Sequence, residues 1–239
     1  MKKFFLFAAS CVIVGVIVSA YFYFRSPWGN TRNAGRSLKL IEYMRNPETN
    51  RDWEIKAGES CQDAPFLFPT NGYIGFLWDD SFRPGHPHQG LDIFSGTHAG
   101  KTKVIAAYDG FLTRLEDWKS TVIIRIPNDP LQPGRQIWTY YTHMADTGGN
   151  SFISPEFPPD THEVFVKAGT ILGYQGNYSG SPGNPTGIHL HFSIVRDDGE
   201  GHFLNELEIK NTIDPSEYFQ IDLNANNNQG DIPLCSADP

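Results

Sequence analysis

The chain has 239 residues, 39% hydrophobic and 13% aromatic, with 23 glycines, 17 prolines and a formal net charge of −8. That length can bury one sizeable core, and the glycine and proline content describes a turn-rich globular protein, more β than helical. The negative balance, with no basic block in the folded part, excludes nucleic acid as a partner, because phosphate binding needs concentrated lysine and arginine.

The chain opens with MKKFFLFAASCVIVGVIVSAYFYFR, in which Lys2 and Lys3 precede 21 uncharged residues from Phe4 to Phe24. As a helix this stretch would span ~30 Å, the thickness of a bilayer core. Two readings stay open: an uncleaved membrane anchor with Tyr21, Phe22 and Tyr23 at the interface, or a cleaved signal peptide with Val18, Ser19 and Ala20 as the small-residue site. A lipoprotein reading through Cys11 is disfavoured, since the apolar run continues past it. Arg25, Arg32, Arg36, Lys39 and Arg45 outnumber the two leading lysines, so charge counting does not favour export. Extracytoplasmic placement rests on the leader shape and on the chemistry further along the chain.

Ser26 to Gly35 reads as a polar linker. RSLKLIEYMRNPE then places Leu38, Leu40, Ile41 and Met44 at helical spacing and predicts a short amphipathic helix ended by Asn46 and Pro47. From Cys61 onward the apolar runs are short and punctuated: FLFPTNGYIGFLW, KVIAAYDGFLTRL, STVIIRI, QIWTYYTHM, HEVFVKAGTILGYQG and IHLHFSIV. Strands at this density predict an all-β sandwich or barrel. The expected organisation is residues 1–25 as anchor or signal, 26–60 as linker with the short helix, 61–221 as the β domain and 222–239 as a tail. The tail is asparagine-rich and expected to be poorly ordered unless Cys235 ties it down. Cys61 and Cys235 can form a bridge in an oxidising compartment or stay as free thiols.

Within the β domain, GIHLHFSI raises a chemical question. Side chains alternate along a strand, so His189, His191 and Ser193 share one face while Leu190, Phe192 and Ile194 share the other. An isolated pair of this kind is most often two partly exposed strand histidines. Upstream, GHPHQGLDIFSG supplies His88 and Asp92, whose even spacing puts both on one face of an extended chain. Two imidazoles and a carboxylate are a normal catalytic zinc set, with a fourth position left to water or substrate. His86 forms a second HxH with His88 and is a competing ligand.

An HxxxD early, a YxH in the middle and an HLHF late, in that order, resemble the lysostaphin-type zinc metallopeptidases, the LytM-domain peptidoglycan endopeptidases. The pattern stands here as HPHQGLDIFSG, VIAAYDGFL, WTYYTHM, VKAGTILGYQG, TGIHLHFSIV and IDPSEYF, and covers roughly Tyr73 to Phe219. The resemblance implies a mainly β fold of the duplicated hybrid motif type, with antiparallel sheets forming an open groove. It implies Zn²⁺ held by His88, Asp92 and His191, with His189 and His143 working beside the metal. Spacing alone does not divide the roles of the two HxH histidines, and the general base is left open between His143 and His189.

The implied activity is that of a zinc metalloendopeptidase hydrolysing peptide bonds in peptidoglycan stems or cross-bridges. Its implied partners are that peptide and, through the N-terminal segment, the membrane of a bacterial cell envelope. The alternative is a catalytically silent LytM-like module that binds the wall or activates another hydrolase. Such modules typically lack a zinc ligand or the catalytic histidine, whereas all five positions are filled here. A mononuclear iron oxygenase would need its own ligand spacing and a cosubstrate site that the sequence does not display.

Ser193 and Ile188 depart from the residues usual in the family, and the loops GNYSGSPGNPTG and MADTGGNSFISPEFPPDTHEVF are long. These loops are expected to border the groove and bear on substrate choice. His98 falls in a glycine-rich loop that reads as an insertion, and His162 and His202 read as surface histidines. Tyr141 would share a strand face with His143 and either line the site or pack in the core.

Overall fold

A computed structural model describes residues 31–80, 86–228 and 230–235. The apolar stretch from Phe4 to Phe24, with the anchor and signal readings attached to it, lies outside the described residues. Among the described residues no helix is long and apolar enough to cross a membrane.

The punctuated apolar runs become strands. β1 (Tyr73–Phe76), β2 (Leu91–Phe94), β3 (Lys103–Ile105), β4 (Gly110–Arg114) and β5 (Val122–Ile126) are followed by β6 (Ile137–Thr142), β7 (Thr161–Val166), β8 (Ile171–Tyr174), β9 (Leu190–Arg196) and β10 (Thr212–Ile213). Eight of them form one sheet in the order β1-β2-β9-β6-β5-β4-β7, with β10 on β9, and β3 pairs β8 in a second, two-stranded sheet. Every ladder is antiparallel. The architecture is therefore mainly β with antiparallel sheets, as expected.

Alternation decides what each face does. Leu91 and Ile93 of β2, Ile124 of β5, Tyr141 of β6 and Leu190, Phe192 and Ile194 of β9 point into the main core, where Phe66, Phe68, Tyr218 and Phe219 meet them. Each such side chain contributes about 1.5–3 kcal/mol on burial. On the opposite face Ile123, Trp138 and Val195 form a smaller cluster. The same face carries His191 and Ser193 further up β9.

The first helix, α1 (Thr31–Arg45), starts five residues before Arg36, where the apolar period begins. The helix packs through Arg36, Leu40 and Tyr43 and not through most of the apolar period read from the sequence, and Pro47 prevents its continuation. Arg36 and Tyr43 are buried, whereas Leu38, Ile41 and Met44 are exposed on the outward side. The Arg36 guanidinium meets the Asp80 carboxylate at 3.1 Å with both side chains almost fully buried, and donates to the Asn228 carbonyl and side-chain oxygens at 3.3 Å. The tail is ordered as far as it is described: Leu223, Ala225 and Asn228 are buried, and a disulfide joins Cys61 to Cys235.

Candidate metal centre

Strand order places the site. β2 and β6 flank β9, and the register sets Asp92 opposite His191 on one side and Thr142 opposite His191 on the other. His88 lies just before β2, and Gly90 lets this segment run against β9: a Cβ there would stand 2.1 Å from the Phe192 carbonyl oxygen. His88 takes its order from the preceding turn. Its N–H donates to the Asp80 carbonyl at 2.7 Å, its own carbonyl accepts from Asp79 N–H at 2.8 Å, and its ring Nδ1 meets the Leu77 carbonyl at 2.9 Å.

Three donor atoms converge. His88 Nε2 lies 3.0 Å from Asp92 Oδ1 and 3.1 Å from His191 Nδ1, and His191 Nδ1 lies 2.8 Å from Asp92 Oδ1. The opposite ring atoms fix the tautomers. A carbonyl can only accept, so His88 Nδ1 carries the proton toward Leu77 and Nε2 keeps its lone pair for the centre. His191 Nε2 faces Glu206 Oε1 at 2.8 Å, and the same oxygen accepts from Ser193 Oγ at 3.2 Å. A carboxylate behind a metal-facing imidazole is the usual support of a metal ligand. Four-coordinate zinc with bonds near 2.0–2.1 Å separates its ligand atoms by about 3.3–3.4 Å. The triangle reaches that size by opening a few tenths of an ångström, and the donor set, two imidazoles and a carboxylate, suits the ion.

Two further rings stand beside the triangle. His189 Nδ1 donates to the Gly187 carbonyl at 2.7 Å, which leaves Nε2 bare at 3.5 Å from Asp92 Oδ1. His143 Nδ1 donates to the Tyr178 carbonyl at 2.6 Å, which leaves its Nε2 bare as well. The His143 and His189 ring centroids are 4.5 Å apart, and His143 lies 6.2 Å from the His191 ring. Strict alternation would have sent His143 to the core side with Tyr141. Its φ of +72° breaks the strand after Thr142 and turns it to the site face. Tyr141 itself is fully buried in the core, its hydroxyl accepting from Ala107 N–H at 2.9 Å. The core alternative is the one realised, and Tyr140 and Thr142 line the site instead.

The electrostatics follow from burial and neighbours. Burial, with the charges His189 and His191 can carry, pushes the His143 imidazole down to about 3. Burial also lowers His189, against the pull of Asp92. For His191 burial acts downward too, but the Glu206 and Asp92 carboxylates outweigh it and push the metal-free ring up to about 10. Burial would raise Asp92, yet His88, His189 and the hydrogen bond from His191 hold it well below the usual carboxylate range.

Among the described residues, the His88, Asp92 and His191 group is buried or half-buried, while the other cluster of this kind, Asp198, Glu200 and His202, is exposed. His86 is exposed and outside the triangle, and His98, His162 and His202 are exposed; His162 pairs with Asp160 at 2.8 Å and His202 with Asp198 at 3.1 Å. Glu206 escaped sequence reasoning because nothing at fifteen residues from His191 marks it. Of the two long loops, residues 176–187 border the cavity through Tyr178, Ser179, Gly180, Thr186 and Gly187, whereas residues 144–165 supply none of its lining. The latter loop folds back on itself and onto β8, with Phe152 N–H bonded to Met144 O, Ser154 N–H bonded to Leu172 O, and Phe157 in the core.

No family model matches the chain, and no curated protein does. Among solved structures it is similar to the catalytic domain of the antimicrobial peptidase lysostaphin from Staphylococcus simulans, at 20% identity over 66% of this chain and 93% of that one, with a TM-score of 0.38. It is similar to a catalytic-domain mutant of the prophage-encoded M23 protein EnpA from Enterococcus faecalis, at 21% identity over 62% and 95% of the two chains, with a TM-score of 0.37. A third likeness, to Helicobacter pylori Csd3, has 20% identity and a TM-score of 0.36, and covers 59% of this chain and only 33% of that one. Likenesses at this level assign neither metal nor substrate.

Proposed function

We propose that the protein is a zinc-dependent endopeptidase that hydrolyses peptide bonds of cell-wall peptidoglycan on the outer side of a bacterial membrane. The observation that carries this reading is one pocket in which His88 Nε2, Asp92 Oδ1 and His191 Nδ1 lie within 3.1 Å of one another, flanked by His143 and His189. His88, Asp92 and His191 would hold the ion. Bound zinc supplies a Lewis acid that polarises a scissile carbonyl and makes water a stronger acid.

The chain's own residues carry the proton traffic. His143 and His189 each hold Nδ1–H on a backbone carbonyl and offer an unprotonated Nε2, kept neutral at pH 7 by burial. One such nitrogen can accept a proton from the attacking water while a ring that has gained a proton can give it to the departing amine. Glu206 keeps the His191 ring oriented with Nδ1 toward the centre. The motif order set out above supports peptidoglycan as the substrate, and the apolar leader supports placement at or beyond a membrane.

The test is to incubate the zinc-loaded full chain with purified peptidoglycan and identify products by mass spectrometry. New amino termini that disappear with a chelator and return with zinc are expected. Intact wall after incubation with fully loaded protein refutes the enzyme and leaves the silent module.

A further inference from the structure

We infer that Leu40, carried by α1, completes an apolar subsite with Phe76 and Phe94 beside the metal centre, and that this subsite prefers a methyl-bearing residue next to the scissile bond over glycine. The inference rests on the endopeptidase reading and narrows its substrate.

One cavity of about 620 Å³ is lined by Leu40, Phe76 and Phe94 together with His88, Asp92 and His189. The apolar wall touches both halves of the chemistry. The Phe94 ring stacks on His189 at 4.9 Å and 22°, and Phe76 lies 6.1 Å from the His88 ring and 6.2 Å from Phe94. A peptide whose carbonyl sits at the triangle therefore has a neighbouring side chain within reach of this wall. Among the described residues no lysine or arginine lines the cavity, so none of them offers a cationic partner to an anionic side chain there.

Leu40 does not belong to the sheet that positions the histidines, and its place depends on two features. Gly75 permits the approach: a Cβ there would lie 2.9 Å from Leu40 Cδ1 and from two atoms of the Phe94 ring. The helix is clamped on both sides of Leu40, by the Arg36 to Asp80 pair at 3.1 Å, by Lys39 donating to the Gly230 carbonyl at 2.8 Å and by Tyr43 donating to Glu54 at 2.9 Å. The wall is thus preformed. Leu40 and Phe76 are half-buried and keep surface that a substrate can cover. Glycine covers none of it, and each methyl or methylene placed in an apolar pocket changes kcat/KM by about 10- to 200-fold.

The experiment compares two purified peptidoglycans, one with stems joined through glycine bridges and one with stems joined directly through alanine, as substrates of the zinc-loaded full chain. The wild type is expected to cut the alanine-linked wall with at least about tenfold higher kcat/KM. Leu40→Ala narrows that ratio several-fold, chiefly through KM, and Leu40→Met keeps it. Leu38→Asp, on the outward face of α1, leaves it unchanged. Phe76→Ala, in β1, removes the sheet side of the wall while leaving the Arg36, Lys39 and Tyr43 bonds that clamp α1, and gives the same narrowing; zinc content and Tm are followed for every variant. Equal or better cutting of glycine bridges, or a preference that survives both alanine variants at full zinc, overturns the subsite and leaves the endopeptidase standing. Failure of the loaded wild type on both walls overturns the endopeptidase reading and the subsite with it.

Discussion

Glu206 is the residue on which the proposed centre can be tested most sharply, because no motif selects it. Its Oε1 takes the His191 Nε2–H at 2.8 Å and the Ser193 hydroxyl at 3.2 Å, within a buried corner of the site. Loss of a carboxylate that orients a metal-binding imidazole costs about 10- to 100-fold in affinity, which at 1.4 kcal/mol per decade is about 1.4–2.8 kcal/mol. Glu206→Ala belongs at the upper end, since it removes charge and acceptor together and leaves the Nε2–H without its partner. Glu206→Gln keeps an oxygen that can accept and loses only the charge, so it falls near the lower end. Ser193→Ala leaves the carboxylate in place and costs less than either. Competition with a chromophoric zinc chelator, corrected for the proton that His191 releases in each protein, gives the three affinities, with the Tm of each metal-free protein as the control for folding. Wild-type affinity in a folded Glu206→Ala protein would falsify the role given to Glu206, and with it the orientation of His191.

Three further outcomes are expected. His143→Ala and His189→Ala should each keep one zinc per chain while kcat falls by about 10²- to 10⁴-fold; a variant that loses its zinc instead has lost a ligand. Metal-free His191 is pushed up to about 10 by Glu206 and Asp92 against the effect of burial, so at neutral pH zinc must displace its proton. Apparent affinity should then rise about tenfold per pH unit from 7 to 9, and titration calorimetry in buffers of different ionisation enthalpy should register close to one proton released; heats independent of the buffer sink this. Opening the Cys61–Cys235 disulfide, which closes a sequence separation of 174 residues, should lower stability by up to about 5 kcal/mol on the chain-entropy account. An unchanged denaturation midpoint for the Cys61→Ser, Cys235→Ser double variant would show that the tail is held by its other contacts.

The strands and the histidine faces were legible because both depend on a period of two. Leu190, Phe192 and Ile194 read as one face opposite the histidines and that face is core, and His88 lies against Asp92 as their even spacing in an extended segment predicts. The orientation of His143 was not legible from alternation, since a left-handed residue at a strand end reverses the face and nothing in YYTHM announces the φ of +72°. Glu206 and Leu40 were invisible as site residues for another reason. Each reaches the pocket from an element distant in sequence, and only the folded chain brings Glu206 to His191 or Leu40 to Phe94. The clamp of α1 was hidden likewise: Arg36 reads as one more charge after an apolar leader, yet it is buried against Asp80.

The two ends of the described chain converge on the least supported member of the triangle. Asp92 and His191 lie in strands whose ladder register holds them, but His88 lies outside every strand and takes its main-chain order from residues 77–80. That turn is itself held from outside. Asp80 grips Arg36 of α1, Arg36 reaches Asn228 of the tail, and Trp78 exchanges backbone bonds with Leu223 and Ala225. A buried ion pair such as Arg36 with Asp80 gains little net stability over an apolar pair of the same shape, because desolvation offsets its Coulomb energy. Its geometric demand is a different matter, since either group left unpartnered costs about 3–5 kcal/mol. Helix, turn and tail are therefore held in one arrangement, and that arrangement keeps His88 Nδ1 on the Leu77 carbonyl and Nε2 toward Asp92.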